Sequence, residues 1–204
     1  GESLLELAQP LVQGVDGIAE SFASELGDLN SGEINIAAGE STILYLLPEV
    51  IKQFADAYPG VRLKLHNVTG RDGMAMLRAD QADFAVGSML EVPEDIDYRP
   101  IFDFKTMLIT PLDHPLAGKR AANIKLEDIS PHGLILPPRH LATWRRVEMI
   151  FGQHKVNYTV TLEAGGWEVI KKYVEMGLGI AIVTAICLKG DEKIAKIPLD
   201  RFFP

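Results

Sequence analysis

From Gly32 onward the chain alternates between two spacings of apolar residues, and no other feature constrains its fold as tightly. Val61, Leu63 and Leu65 alternate with Arg62, Lys64 and His66, the period of two that suits a strand with one buried face. Just before them Leu44, Leu47, Ile51, Phe54 and Tyr58 recur at helical spacing, with Pro48 as an internal bend, until Pro59-Gly60 stops the run. The same switch recurs downstream. Strands are predicted over 33–38, 61–66, 83–87, 105–110, 134–136, 158–162 and 179–183, and helices over 41–58, 69–79, 126–129, 143–153 and 167–176. Residues 91–99 read as an acidic loop and Asp113-His114-Pro115 as a turn. These seven strands and five helices follow one another in the order of an α/β fold with mainly parallel sheets. That is more than one small sheet carries, so two lobes with a cleft between them are expected.

The first thirty residues obey a different rule. Leu4, Ala8, Leu11, Val15, Ile18 and Phe22 step by four and three, a heptad seam, while Pro10, Gly14 and Gly17 weaken a long helix. The segment reads either as a helix that pairs with another chain or as an amphipathic helix packed on its own domain. Residues 27–32, Gly-Asp-Leu-Asn-Ser-Gly, then form a linker.

Composition excludes several functions. With 47% hydrophobic residues the chain has enough apolar material for one sizeable core or two small ones. Its formal net charge of -8 repels phosphate backbones and argues against direct nucleic-acid binding by this segment. Cys187 is the single cysteine, set in an apolar run, and reads as a buried packing residue. No run approaches the roughly 18 apolar residues of a membrane span, and no signal peptide is visible. The five histidines lack metal-ligand spacing, and no nucleophile elbow, phosphate loop or dinucleotide fingerprint is present. The chain therefore reads as a non-enzyme that needs no cofactor.

Several segments, taken in order, resemble a known family. They are residues 32–38 (Gly-Glu-Ile-Asn-Ile-Ala-Ala), 46–54 (Leu-Leu-Pro-Glu-Val-Ile-Lys-Gln-Phe), Tyr58-Pro-Gly-Val, Ala82-Asp-Phe-Ala-Val, Asp113-His-Pro-Leu, and the run from Val169 through Gly177 to Val183. Each alone is common, but their order and spacing are similar to the effector-binding domain of LysR-type transcription regulators. The resemblance covers nearly all of residues 32–200. It implies two Rossmann-like lobes joined by two crossover segments, as in type II periplasmic binding proteins. By that analogy the crossovers fall near 101–105 and 183–188, with lobe I at about 32–101 plus 188–204 and lobe II at about 102–187. Residues 1–31 would be the remnant of a linker and dimerisation helix. A winged helix-turn-helix domain would precede them, and a last strand and helix would come after Phe203-Pro204.

The same resemblance implies a cytoplasmic homo-oligomer, dimer or tetramer, with the helix around 46–58 (including Phe54 and Tyr58) as its pairing surface. DNA would be bound only through the domain that this sequence does not include, and no membrane is involved. The expected guest is a small-molecule effector, a carboxylate or oxyanion, held where helix N-termini open beyond the carboxyl ends of strands. Ser41 and Thr42 after the first strand, and Thr69 and Gly70 after the second, can each contact such a ligand or simply cap a helix. Ser88 follows the third strand at a position that faces the cleft in the family.

From the second lobe come Arg139, His140, Thr143 and Trp167. Arg139 offers a two-pronged donor for a carboxylate, with a solvated loop arginine as the alternative. His140 reads as a loop polar residue or a contact. Trp167 either stacks on a flat ligand or sits in the core. Asp83-Phe-Ala and residues 169–179 resemble the sulfur-assimilation branch, although Glu40 would repel a sulfate if it faced inward. The alternative reading is a solute-binding protein of a transporter, which shares the architecture but has no use for a self-pairing heptad helix.

Overall fold

The structure is a computed structural model that describes residues 31–89 and 92–203, so the heptad segment lies outside the described residues. The chain divides after Gly87 into two compact units.

The first unit is a parallel sheet of β1 (Gly32–Ala38), β2 (Val61–Asn67) and β3 (Phe84–Val86), in the order β2-β1-β3. Its core gathers Ile36, Ala38 and Leu47, with Ile34, Ile43, Ile51 and Val86 packed against them. The predicted helix after β1 forms in two phases. A π turn covers Thr42–Leu46, in which the Leu47 N–H reaches back five residues to the Thr42 carbonyl, and α1 (Leu47–Ala57) continues from it. Pro48, in the first turn of α1, has no N–H to give to a carbonyl four residues back, so a regular helix cannot run through it. After β2, α2 (Gly70–Arg78) lies close over the sheet. A Cβ on Gly73 would touch the Ala37 Cβ at 3.7 Å, so that glycine sets how closely helix and strand pack.

The second unit holds a five-stranded sheet in the order β6-β5-β7-β4-β8, built from β4 (Thr106–Pro111), β5 (Gly133–Leu136), β6 (Thr159–Glu163), β7 (Ile180–Thr184) and β8 (Ile194–Pro198). β5 runs parallel to β6 and β7, whereas β4 runs antiparallel to both β7 and β8. Three helices accompany it: the short α3 (Leu126–Ile129), α4 (Ala142–Gln153) and α5 (Trp167–Glu175). Leu108, Ile182 and Phe151 are fully buried in a core shared with Ile124, Leu134 and Val147. Cys187 is buried, as expected.

Three expectations about boundaries need correction. Residues 188–204 were expected to rejoin the first lobe, but β8 pairs with β4 along Met107↔Pro198 to Pro111↔Ile194 and Phe203 joins the second unit's core. The second crossover, expected near 183–188, is instead a 3-10 turn (Ala185–Cys187) that links β7 to β8 within one unit. The first unit also ends at Gly87 rather than near 101, because residues 92–105 form no strand that could extend the β1–β3 sheet.

Candidate functional site

In both units the predicted ligand residues stand just past the carboxyl ends of parallel strands. In the first unit the helix opening after β1 contains Ser41 and Thr42, both partly buried. Ser41 has helical backbone angles (φ -62°, ψ -38°) and its hydroxyl makes no capping hydrogen bond, so simple capping does not occupy it. Thr69 is different. It caps α2: its hydroxyl donates to Asp72 Oδ2 at 2.6 Å and accepts from the Asp72 N–H at 3.5 Å. Gly70 opens α2 with nothing within 4 Å of where a Cβ would stand. Ser88 lies two residues past β3 and is exposed. One helix opening of this unit carries its own acid: Asp72, in the first turn of α2, answers that positive helix end, whereas the π turn after β1 has no acid in its first turn.

The second unit offers a different electrostatic setting. The Ala164 N–H donates to the Leu136 carbonyl at 3.0 Å, tying the ends of β5 and β6 together. The loops beyond those ends, 137–141 and 164–166, therefore leave the sheet side by side. Arg139 and His140 are exposed on the first of these loops, and the Arg139 guanidinium lies over the Trp144 ring, 5.1 Å from its centroid. Thr143 sits in the opening turn of α4. Leu141 is the residue before that helix, so no side chain caps it, and its first turn contains no acid. The α4 opening thus combines unclaimed N–H groups with a nearby guanidinium. Trp167, partly buried, opens α5 directly after Gly166, whose φ of 81° is a left-handed conformation that glycine adopts without strain.

Thr143 also lines a recess of about 10 Å³, shared with Thr106, Arg146, Ile182, Thr184 and Phe203. That space admits about one water molecule. Thr106 and Thr184 meet there because β4 runs antiparallel to β7 and pairs the two residues directly.

The structure also contains a polar cluster that sequence reasoning missed. Lys171 on α5 is buried, and its ammonium donates to Glu168 Oε1 (3.0 Å), Glu192 Oε1 (3.2 Å) and the Cys187 carbonyl (2.7 Å). Burial alone would lower the Lys171 pKa, but the hydrogen bonds to Glu168 and Glu192 outweigh it and hold the ammonium above its usual value. Burial acts against the Glu192 carboxylate as well. Lys196 and the N–H groups of Lys189 and Gly190 reverse that and keep it well below the usual carboxylate range. Burial pushes the Cys187 thiol up to about 12, which leaves it inert as a nucleophile. A signal was present: Trp167, Ile170, Lys171 and Val174 follow helical spacing, which places Lys171 on the inward stripe.

Among the described residues no group of three His, Cys, Asp or Glu could hold a metal ion, and no helix is long and apolar enough to cross a membrane. Two α/β units with polar residues gathered at strand ends define a ligand-binding module. The chain belongs to the LysR substrate binding domain family, whose model matches residues 27–203. It is 27% identical over 201 residues to the HTH-type transcriptional regulator SsuR of Burkholderia cenocepacia, covering 98% of this chain and 64% of that protein. It is 30% identical over 188 residues to the HTH-type transcriptional regulator cbl of Escherichia coli K12, covering 90% of this chain and 57% of that one. The chain thus spans about 60% of the length of these relatives. Among solved structures, the regulatory domain of CcmR from Synechocystis PCC6803 in complex with 2-PG matches with a TM-score of 0.74 at 27% identity, covering 84% of this chain and 83% of that one. These relatives are named as regulators, which agrees with the non-enzymatic reading and gives the transport-receptor alternative no support.

Proposed function

We propose that this chain is the effector-sensing part of a cytoplasmic LysR-type transcription regulator, and that its guest is a small anionic metabolite held at strand ends. The observation that carries the reading is the α4 opening: a twelve-residue helix with no acid in its first turn and no side-chain cap, beside the Arg139 guanidinium. The positive end of a helix dipole and a planar five-donor fork suit a carboxylate, phosphate or sulfur oxyanion. Arg139, His140 and Thr143 would hold the anion. Trp167, at the adjoining strand end, would flank it, while Ser41, Thr42, Thr69 and Gly70 are the candidate contacts of the first unit taken by itself and Ser88 follows its last strand.

In the first unit Asp72 already stands in the first turn of α2, so an anionic guest is disfavoured at that opening. That CcmR's regulatory domain was solved with 2-PG supports a small anionic guest. The names SsuR and cbl favour the sulfur-assimilation branch suggested by residues 83–85 and 169–179. In the longer protein, occupancy would change how homo-oligomeric copies assemble and so how a separate DNA-binding domain is presented.

A thermal-shift screen of this chain tests the proposal. Sulfate, thiosulfate, inorganic phosphate, 2-PG and small mono- and dicarboxylates would be compared with uncharged analogues. A ligand at 100 times its Kd stabilises the folded state by about 2.7 kcal/mol. Stabilisation by at least one anion, reduced in Arg139→Ala, is expected. Stabilisation only by uncharged or cationic compounds would refute the anionic reading.

A further inference from the structure

The turn Asp113-His114-Pro115-Leu116, picked out from the sequence as a motif, has a structural partner that the ligand site does not use. His114 Nε2 lies 3.2 Å from Nδ1 of His132, with the rings edge-on at 4.3 Å between centroids. His114 Nδ1 accepts the backbone N–H of Leu116 at 3.2 Å. That contact fixes the chemistry of the pair. A ring that accepts at Nδ1 carries its proton on Nε2, so His114 donates to His132 Nδ1 and both rings are neutral.

Each end of this relay is anchored. The His114 N–H bonds the Pro111 carbonyl and the Ala117 N–H bonds the His114 carbonyl, while the His132 N–H bonds the Ile129 carbonyl. Leu116 is buried in the core of the second unit. The pair therefore joins the turn 111–117 to the link 129–133 that leads into β5.

We propose that the His114–His132 pair is a proton-operated latch that fastens these two segments when neutral and releases them when protonated. A proton on His114 Nδ1 removes the acceptor of the Leu116 N–H. A proton on His132 Nδ1 removes the acceptor of the His114 Nε2–H. Two imidazolium rings in contact would also repel. The charged groups around the pair do not prevent this. Asp113, on the same turn, favours a cation on His114, but burial and the neighbouring His132 outweigh it and hold the His114 pKa below its usual value. Lys119 and Asp128, which bridge the same turn to α3, are paired with each other at 3.0 Å.

The test combines ring-nitrogen NMR with hydrogen exchange on the whole chain between pH 8 and 5. At pH 8 both rings should show the Nε2–H tautomer. The protection factor of the Leu116 amide should fall at least about tenfold as His114 titrates. His114→Asn keeps a side-chain oxygen for the Leu116 N–H but cannot take up a proton, so its Leu116 protection should not change over this range. His132→Gln keeps an acceptor for His114 without a second ring to charge, and the His114 midpoint should rise. Independent titration of the two rings with constant Leu116 protection would overturn the proposal, as would a His114→Asn protein that loses protection just as the parent does. If His114→Asn fails to fold, an unmoved His114 midpoint in His132→Gln overturns it alone.

Discussion

Lys171 and Glu192 meet at 3.2 Å beneath the surface of the second unit, and through that pair α5 holds the link between β7 and β8. The side chains are 6% and 13% exposed, so water screens the contact poorly. A buried cation that satisfies three acceptors is costly to remove, because its partners stay behind without it. Lys171→Met should destabilise the chain by about 3 kcal/mol, at the low end for such pairs since Glu192 retains Lys196. Urea unfolding measures it, and a change below about 0.5 kcal/mol would show that the cluster contributes nothing.

The same pair sets a pH dependence. The folded-state pKa of Glu192 is depressed, so its stabilisation is fully present above the unfolded carboxylate range and lost as pH falls through and below that range. Lys171 is raised, so its share is present below the ordinary lysine pKa and lost only at strongly alkaline pH. Unfolding midpoints should therefore fall from pH 6 to pH 3.5, with a shallower slope in Glu192→Gln. Equal slopes in the two proteins would contradict the assignment.

Close backbone approach makes Gly179 sensitive. A Cβ there would stand 2.5 Å from the Gly133 carbonyl oxygen and 3.1 Å from Ile135 Cγ1, beside the β5–β7 pairing. The clash is with backbone and cannot be relieved by a rotamer. Gly179→Ala should cost about 3 kcal/mol, seen as a drop of roughly 10 °C in Tm.

Two hydroxyls of the first unit should separate in a pair of alanine variants. Thr69 caps α2, so Thr69→Ala should lose about 1 kcal/mol of stability. Ser41 makes no capping bond, so Ser41→Ala should stay within about 0.5 kcal/mol. Calorimetric melting of both variants reads the difference, and equal losses would contradict the assignment of the cap to Thr69 alone.

Arg139 sits on the surface over Trp144, and its removal should leave the fold intact while reducing affinity for whichever anion the screen identifies about 10- to 100-fold, the worth of one charge-assisted bond. Trp167 fluorescence offers a direct readout, because the residue opens α5 at the adjoining strand end.

Much of this was legible from spacing alone. The strands through β7 and the five helices fall within a few residues of their predicted places, and Pro59, Pro131 and Gly177 stand just past the ends of α1, α3 and α5. β8 escaped because Lys196 and Pro198 interrupt its alternation, and only pairing with β4 makes it a strand. Missing it misplaced the lobe boundary. The second sheet's antiparallel β4 was equally invisible, as strand direction is a tertiary property. At the candidate site, residue types and strand-end positions were readable. The partners that distinguish Thr69 from Ser41 were not, nor was the contact between His114 and His132, which lie eighteen residues apart.

The wide turn at Thr42–Leu46 has a consequence for how the first unit can change over time. One surplus residue in a helical turn offsets everything upstream by about 100° around the axis relative to the downstream helix. Deleting any single residue of 42–46 would remove that surplus and turn Ser41 about the axis relative to the apolar stripe of α1, with Pro48 still interrupting the backbone bonding at the junction. Such a deletion would be a one-codon route to a new guest preference, visible as a changed ligand profile at unchanged melting temperature.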